Sequence, residues 1–279
     1  MAGRVVVVFD FDKTILDCDS DNWVLDELGV NHLFTQLLPS MPWNSLMDRM
    51  MMELHSRGKT TEDIAHCLKQ APFHPRIISA FKSAHSAGCD LKILSDANVF
   101  FIETILKHHG LLDCFSEIIT NPSLVDNEGR LGILPYHDFK SCSHNCNICL
   151  PNMCKGLVME KIMKISCESS KGKKKRFIYV GAGSADFCGG LKLVEGDILM
   201  ARNKFPVWDL IISSNPLSIK AHIHAWNDGE ELGIGLVNLI NTIFIQDNCS
   251  CEPGNADFKS QTTSLSHDSS FSIDDMVNS

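Results

Sequence analysis

The segment Val5-Val6-Val7-Val8-Phe9, running directly into Asp10-Phe11-Asp12-Lys13-Thr14, limits most what this chain can fold into. A run of β-branched apolar residues this short reads as a strand buried on both faces. Two carboxylates one residue apart, where a strand turns into a loop, can crowd one small site. Such a pair can hold a hard divalent cation and leave an oxygen free as a nucleophile. Thr14 adds a hydroxyl that could donate to a phosphate oxygen. An isolated Asp-x-Asp is more often a polar strand end. Here the buried strand before it, and later segments that fit the same site, argue for chemistry.

A chain of 279 residues holds one large domain, or a core with an inserted cap. Its formal net charge of −9 argues against nucleic acid as the main partner, because no basic surface is suggested. The basic run from Lys171 to Arg176 sits before an apolar strand and reads as a solvated loop. Twelve cysteines are a high count but do not make a disulfide scaffold at this length. The start, Met-Ala-Gly-Arg running directly into a strand, does not read as a signal peptide, and no apolar run approaches the ~20 residues of a membrane span. The expectation is a cytoplasmic chain with reduced thiols and no membrane partner.

After the first strand, Ser20 is the expected N-cap of a helix that Gly29 stops. Asp17, Asp19 and Asp21 stand near the first acidic pair. As helix-start acids they would be favoured by the macrodipole; alternatively they face a cationic substrate, a reading that weighs most for Asp21. Residues 31–88 read as helical. Trp43, Leu46, Met47, Met50 and Leu54 follow core spacing, Thr60 opens a capping box and Pro75 starts a further helix. Four helices between the first two strands exceed what one crossover needs and suggest a cap. Trp23 and Trp43 could form an aromatic wall there for a quaternary ammonium group, although core packing is the commoner use.

A second strand, Cys89 to Ser95, ends in a hydroxyl and backbone N–H groups suited to an anion, with Asp96 beside it. A third strand spans Phe115 to Ile119, and a turn at 126–129 leads to a short strand. In the cysteine-rich stretch beyond it, Cys146-Asn147-Ile148-Cys149 has the spacing of a zinc knuckle, with His144 or Cys154 as further ligands. The alternative is a cluster of thiols in a loop that orders Lys155. Lys155 opens a helix. Arg176 to Val180 is a strand that runs into Gly181-Ala182-Gly183-Ser184-Ala185-Asp186. A dinucleotide fingerprint would need a third glycine where Asp186 stands.

In order, Asp-x-Asp-x-Thr, Ser95, Lys155-Gly156 and Gly-x-Gly-x-x-Asp resemble the four motifs of haloacid dehalogenase (HAD) phosphatases. The longer matches, Phe-Asp-Phe-Asp-Lys-Thr-Ile, Ser-Asp-Ala-Asn, Pro-Asn-Met-Cys-Lys-Gly and Phe-Pro-Val-Trp-Asp-Leu-Ile, resemble the phosphoethanolamine/phosphocholine phosphatase family, most closely its plant branch of thiamine phosphate phosphatase-like and inorganic pyrophosphatase-like proteins. The resemblance implies an α/β, HAD-like (Rossmannoid) parallel-sheet core over 1–16 and 89–246, with a cysteine-rich loop at 136–155. It implies a helical cap over 17–88, and composition adds a disordered tail over 247–279. It implies Mg²⁺-dependent hydrolysis of a small phosphomonoester or pyrophosphate through a phospho-aspartate. Asp10 would be the nucleophile and Asp12 the acid and base; both would bind Mg²⁺, Asp12 through its main-chain carbonyl. Ser95 and Lys155 would hold the phosphoryl group, and Asp21 and Asp96 would contact the substrate. The third metal-binding aspartate of the family is Ala182 here, leaving Asp186 as the nearest acid to complete the Mg²⁺ site. The competing expectation is therefore a catalytically impaired relative that binds a metabolite or a protein.

Overall fold

The computed structural model describes residues 4–169, 175–214 and 218–249. Strand β1 (Val5–Phe9) is wholly buried, as its composition predicts. Alternation sends its side chains to two opposite layers. Val6 and Val8 pack with Met153, Val158, Met159, Phe177 and Tyr179. Phe9 stacks at 4.7 Å on Phe81 of helix α5 (Pro75–Ser86) and meets Phe115 edge-on. Burying a side chain of this size stabilises by roughly 1.5–3 kcal/mol.

Strands β2 (Asp90–Asn98) and β3 (Phe115–Asn121) lie to one side of β1, with helix α6 (Val99–His108) between them in sequence. On the other side lie β6 (Arg176–Gly181), β7 (Ile198–Arg202) and β8 (His222–Trp226). The six-stranded sheet has the order β3-β2-β1-β6-β7-β8 and every pairing is parallel. The chain leaves β1 toward β2 and leaves β6 toward β7, so the strand order reverses between β1 and β6. A crevice opens beyond the carboxyl ends of strands at such a point. The Asp10 N–H extends the β1–β6 ladder by one bond, to Val180 O at 2.8 Å, which fixes where the first acid emerges.

Between β1 and β2 run five α-helices where four were expected: α1 (Ser20–Glu27), α2 (Asn31–Leu37), α3 (Trp43–Ser56), α4 (Thr61–Leu68) and α5. Leu46, Met47, Met50 and Leu54 of α3 are core, as their spacing predicts. The capping box of α4 forms in both directions between Thr60 and Asp63. The N-cap of α1 is Asp19 and not Ser20: Asp19 accepts from Asn22 N at 3.1 Å, while the Ser20 N–H donates to Asp12. The turn at 126–129 joins β4 (Ser123–Val125) to β5 (Leu131–Ile133), and Asp48 of α3 accepts the Ile133 N–H at 3.0 Å.

Helix α7 (Lys155–Ser169) precedes β6, helix α8 (Ser184–Gly190) follows it, and α9 (Pro206–Ser213) follows β7. The terminal helix α10 (Gly229–Cys249) takes in 247–249, which composition places in the tail. The rest of that expected tail, and most of the basic run at 171–176, lie outside the described residues. No helix among the described residues is long and apolar enough to cross a membrane.

Candidate active site

Asp10 leaves β1 into the crevice and is 6% exposed. Lys155 is the first residue of α7, and its Nζ donates to Asp10 Oδ1 at 2.6 Å and to Asp186 Oδ1 at 2.8 Å. The N-terminal end of a helix thus delivers a buried ammonium to two buried carboxylates. Burial works against the Lys155 charge, yet Asp10, Asp186 and Asp96 hold its pKa above the usual lysine range.

Asp186 is spent on the protein itself. Its Oδ1 also accepts from Tyr179 Oη at 2.8 Å, and its Oδ2 accepts the N–H groups of Ala182 at 2.9 Å and Gly183 at 2.7 Å. Asp186, expected as a metal ligand, holds Lys155 and ties the turn after β6. Gly181 makes this fold-back possible, since a Cβ there would lie 2.3 Å from Asp186 Cγ. Tyr179 was not legible as a site residue. Its only signal is that a buried tyrosine needs a partner for its hydroxyl.

A cleft of about 380 Å³ stands over these groups. Asp10, Asp12, Asp19, Asp21, Trp43, Ser95, Asp96 and Lys155 line it, so the sequence-predicted acids, serine and lysine come together. Thr14, expected to contact the substrate, is not on this wall; its Oγ1 lies 3.5 Å from Asp10 Oδ2. Trp43 faces the cleft and donates from Nε1 to Asp21 Oδ2 at 2.7 Å. Trp23 does not reach it: its Nε1 bonds Cys67 O at 3.1 Å. Asp17 pairs with Arg202. Ile148 and Leu150 of the cysteine-rich loop also line the cleft, which their sequence did not suggest.

The cleft is short of positive charge. Burial, then Asp186, push the Asp10 carboxyl up to about 8, although Lys155 pulls the other way. Burial, then Asp19 and Asp21, raise Asp12 well above the carboxylate range. Burial, then Asp19, bring Asp21 to about 7, and burial raises Asp96. Among the described residues, Asp21 Oδ1 and Asp96 Oδ1 are buried without a hydrogen-bond partner. Such a donor set fits a hard cation: Mg²⁺ is commonly held by one or two carboxylates, waters and substrate phosphate oxygens. The fit rests on Asp10 and Asp12, because both oxygens of Asp186 already accept from protein donors.

Among the described residues, the group that does converge is Cys146, Cys149, Cys154 and Cys188. His144 is not part of it. Its Nε2 lies 2.9 Å from Leu150 O and its Nδ1 accepts from Cys146 N. The place expected for His144 is taken by Cys188 of α8, a residue too distant in sequence for spacing to find.

A parallel sheet with this strand order, an acidic pair beyond its central strand and a buried lysine facing the first acid define a HAD-type phosphatase. The "Putative Phosphatase" family model matches residues 5–240, and the chain belongs to that family. The chain is 56% identical over 241 residues to inorganic pyrophosphatase 2 of Arabidopsis thaliana, covering 86% of this chain and 85% of that one. It is 53% identical to an A. thaliana thiamine phosphate phosphatase-like protein, covering 86% and 97%. A solved phospho-aspartyl intermediate analogue of phosphoserine phosphatase shares the fold, with a TM-score of 0.51 at 16% identity, over 81% of this chain and 94% of that one.

Proposed function

We propose that this phosphatase hydrolyses a small phosphomonoester whose leaving group carries a positive charge, such as thiamine phosphate, phosphoethanolamine or phosphocholine. One observation carries this reading: two buried carboxylate oxygens, Asp21 Oδ1 and Asp96 Oδ1, have no partner among the described residues, and both residues line the cleft. Desolvated acids without partners are costly until a cation meets them. Trp43 is bonded to Asp21 and lines the same cleft, where an aromatic ring would favour a cation.

In this reaction Asp10 attacks phosphorus and the bond to the leaving oxygen breaks. Asp12 gives that oxygen a proton. Asp12 then takes a proton from the water that attacks the phospho-aspartate, which releases phosphate and restores Asp10. Lys155 and Ser95 offset and hold the phosphoryl charge. Mg²⁺, held by Asp10 and Asp12, would neutralise phosphate oxygens when bound. A structural Zn²⁺ at the cysteine-rich loop belongs to the same reading, apart from the chemistry. Of the helices over 17–88, α1 to α4 act as the cap, with α1 and α3 supplying Asp21 and Trp43, while Phe81 packs α5 against the sheet as the crossover.

Pyrophosphate is the second reading, favoured by the relatives named as inorganic pyrophosphatases. It carries no cation for Asp21 and Asp96 and would need metal there instead. Phosphate release with Mg²⁺, from a panel of thiamine phosphate, phosphoethanolamine, phosphocholine and pyrophosphate, separates the two. Preference for a cationic ester by kcat/KM supports the first; preference for pyrophosphate overturns it.

A further inference from the structure

We propose that Cys146, Cys149, Cys154 and Cys188 together hold one structural Zn²⁺, which fastens the cleft wall bearing Ile148 and Leu150, and the first turn bearing Lys155, to helix α8. The four sulfur atoms lie within 4.8 Å of one another. Cys188 Sγ is 3.7 Å from Cys146 Sγ and 3.9 Å from Cys154 Sγ. A tetrahedron of sulfurs around zinc at about 2.3 Å has edges of about 3.8 Å. All four cysteines are free; Cys154 and Cys188 are buried and the other two are half-buried.

Helix α7 opens directly against the cluster: Lys155, its first residue, follows Cys154. Helix-terminal N–H groups lack partners within the helix and favour negative charge, and four thiolates around Zn²⁺ would carry a net charge of −2. The approach is close enough to require glycine, since a Cβ on Gly156 would stand 2.6 Å from Cys188 Sγ. A closed all-cysteine shell has no open position, which marks a structural metal.

The placement gives the metal its use. Cys154 directly precedes Lys155, and Cys188 lies two residues beyond Asp186, the two partners of the 2.8 Å ion pair. Ile148 sits inside the Cys146–Cys149 knuckle and Leu150 just outside it, and both line the cleft. One ion thus connects the loop wall, the lysine and the helix after β6 without touching substrate.

The test is elemental analysis of the full chain purified in reducing, chelator-free buffer, with cobalt substitution. The expected result is one zinc per chain. Co²⁺ in its place should give the visible bands of a tetrahedral site and intense thiolate-to-cobalt charge transfer. Cys149→Ser and Cys188→Ser should lose the metal. His144→Ala and Asp10→Asn should keep it, which separates this site from the catalytic acids and from the phosphatase reading. Should Cys188→Ser fail to fold, the cobalt spectrum of the unsubstituted chain and the metal content of His144→Ala still decide. Iron or no metal in the purified chain, an octahedral cobalt spectrum, or full zinc in Cys188→Ser would overturn the assignment.

Discussion

Lys155 Nζ lies 2.6 Å from Asp10 Oδ1, with both side chains buried. The same ammonium reaches Asp186, so one lysine holds two acids whose charges would otherwise face each other unscreened. Removing it leaves two buried carboxylates without their cation. Lys155→Met is expected to lower kcat by about 10²–10³-fold, the scale of losing one preorganised charge partner. It should also reduce folding stability by about 3–5 kcal/mol. Steady-state kinetics and urea unfolding of the same variant check both effects.

The turn after β6 depends on a glycine for a reason separate from metal binding. In Gly181→Ala the new Cβ would meet Asp186 Cγ at 2.3 Å, so the carboxylate must leave Tyr179, Ala182 and Gly183. We expect a clear fall in melting temperature together with loss of turnover. Gly183→Ala meets the same side chain at 3.5 Å, an ordinary contact, and should melt close to the unsubstituted chain. Differential scanning calorimetry of the two variants makes the comparison.

Asp21 links substrate preference to pH. Its folded pKa, about 7, lies above the ordinary value of 3.8. An acid whose pKa is raised by folding destabilises the folded state once it ionises. The penalty is absent below about pH 4, grows as pH rises toward 7 and is then constant. Asp21→Asn should therefore match the unsubstituted chain in stability at about pH 4 and exceed it at about pH 8. The same variant should raise KM for cationic esters more than for pyrophosphate. Urea midpoints at the two pH values, and KM on both substrate types, test this.

The resemblance to HAD phosphatases sets Ala182 at the position of a third metal-binding acid, and both oxygens of Asp186 are taken by protein donors. Charge and ligand number set the affinity for Mg²⁺. Ala182→Asp is expected to lower the Mg²⁺ concentration for half-maximal rate, on the order of tenfold. A Mg²⁺ titration of phosphate release measures it. An unchanged titration would show that Asp10, Asp12 and substrate oxygens already complete the site.

Much of this was legible in the sequence because it is local. The buried strand, the acids at its end, the Thr60 capping box and the α3 core spacing each follow from neighbours a few residues apart, and the structure bears them out. Asp10 and Lys155 were legible because they stand at a strand end and a helix start; Ser95 and Asp96 lie within β2, which runs on to Asn98 where the sequence suggested an end at Ser95. The misses have other causes. Strand β8, His-Ile-His-Ala-Trp, has polar and apolar residues alternating but is too short for pattern alone to separate from loop. Ser20 failed as a cap because Asp19, one residue earlier and extended, accepts the Asn22 N–H. Cys188, Tyr179, Ile148 and Leu150 join the site through contacts across the sheet and loop, and no spacing in the chain records such contacts.

The most direct test of the whole reading is the fate of Asp10. With Mg²⁺ and the preferred phosphoester, the unsubstituted chain should release phosphate and, on rapid quenching, carry one phosphoryl group that hydroxylamine removes. Asp10→Asn should fold, show neither the phosphoryl group nor turnover, and still be stabilised by substrate against thermal unfolding. Turnover by Asp10→Asn near that of the unsubstituted chain would contradict a phospho-aspartate at this position and with it the central claim.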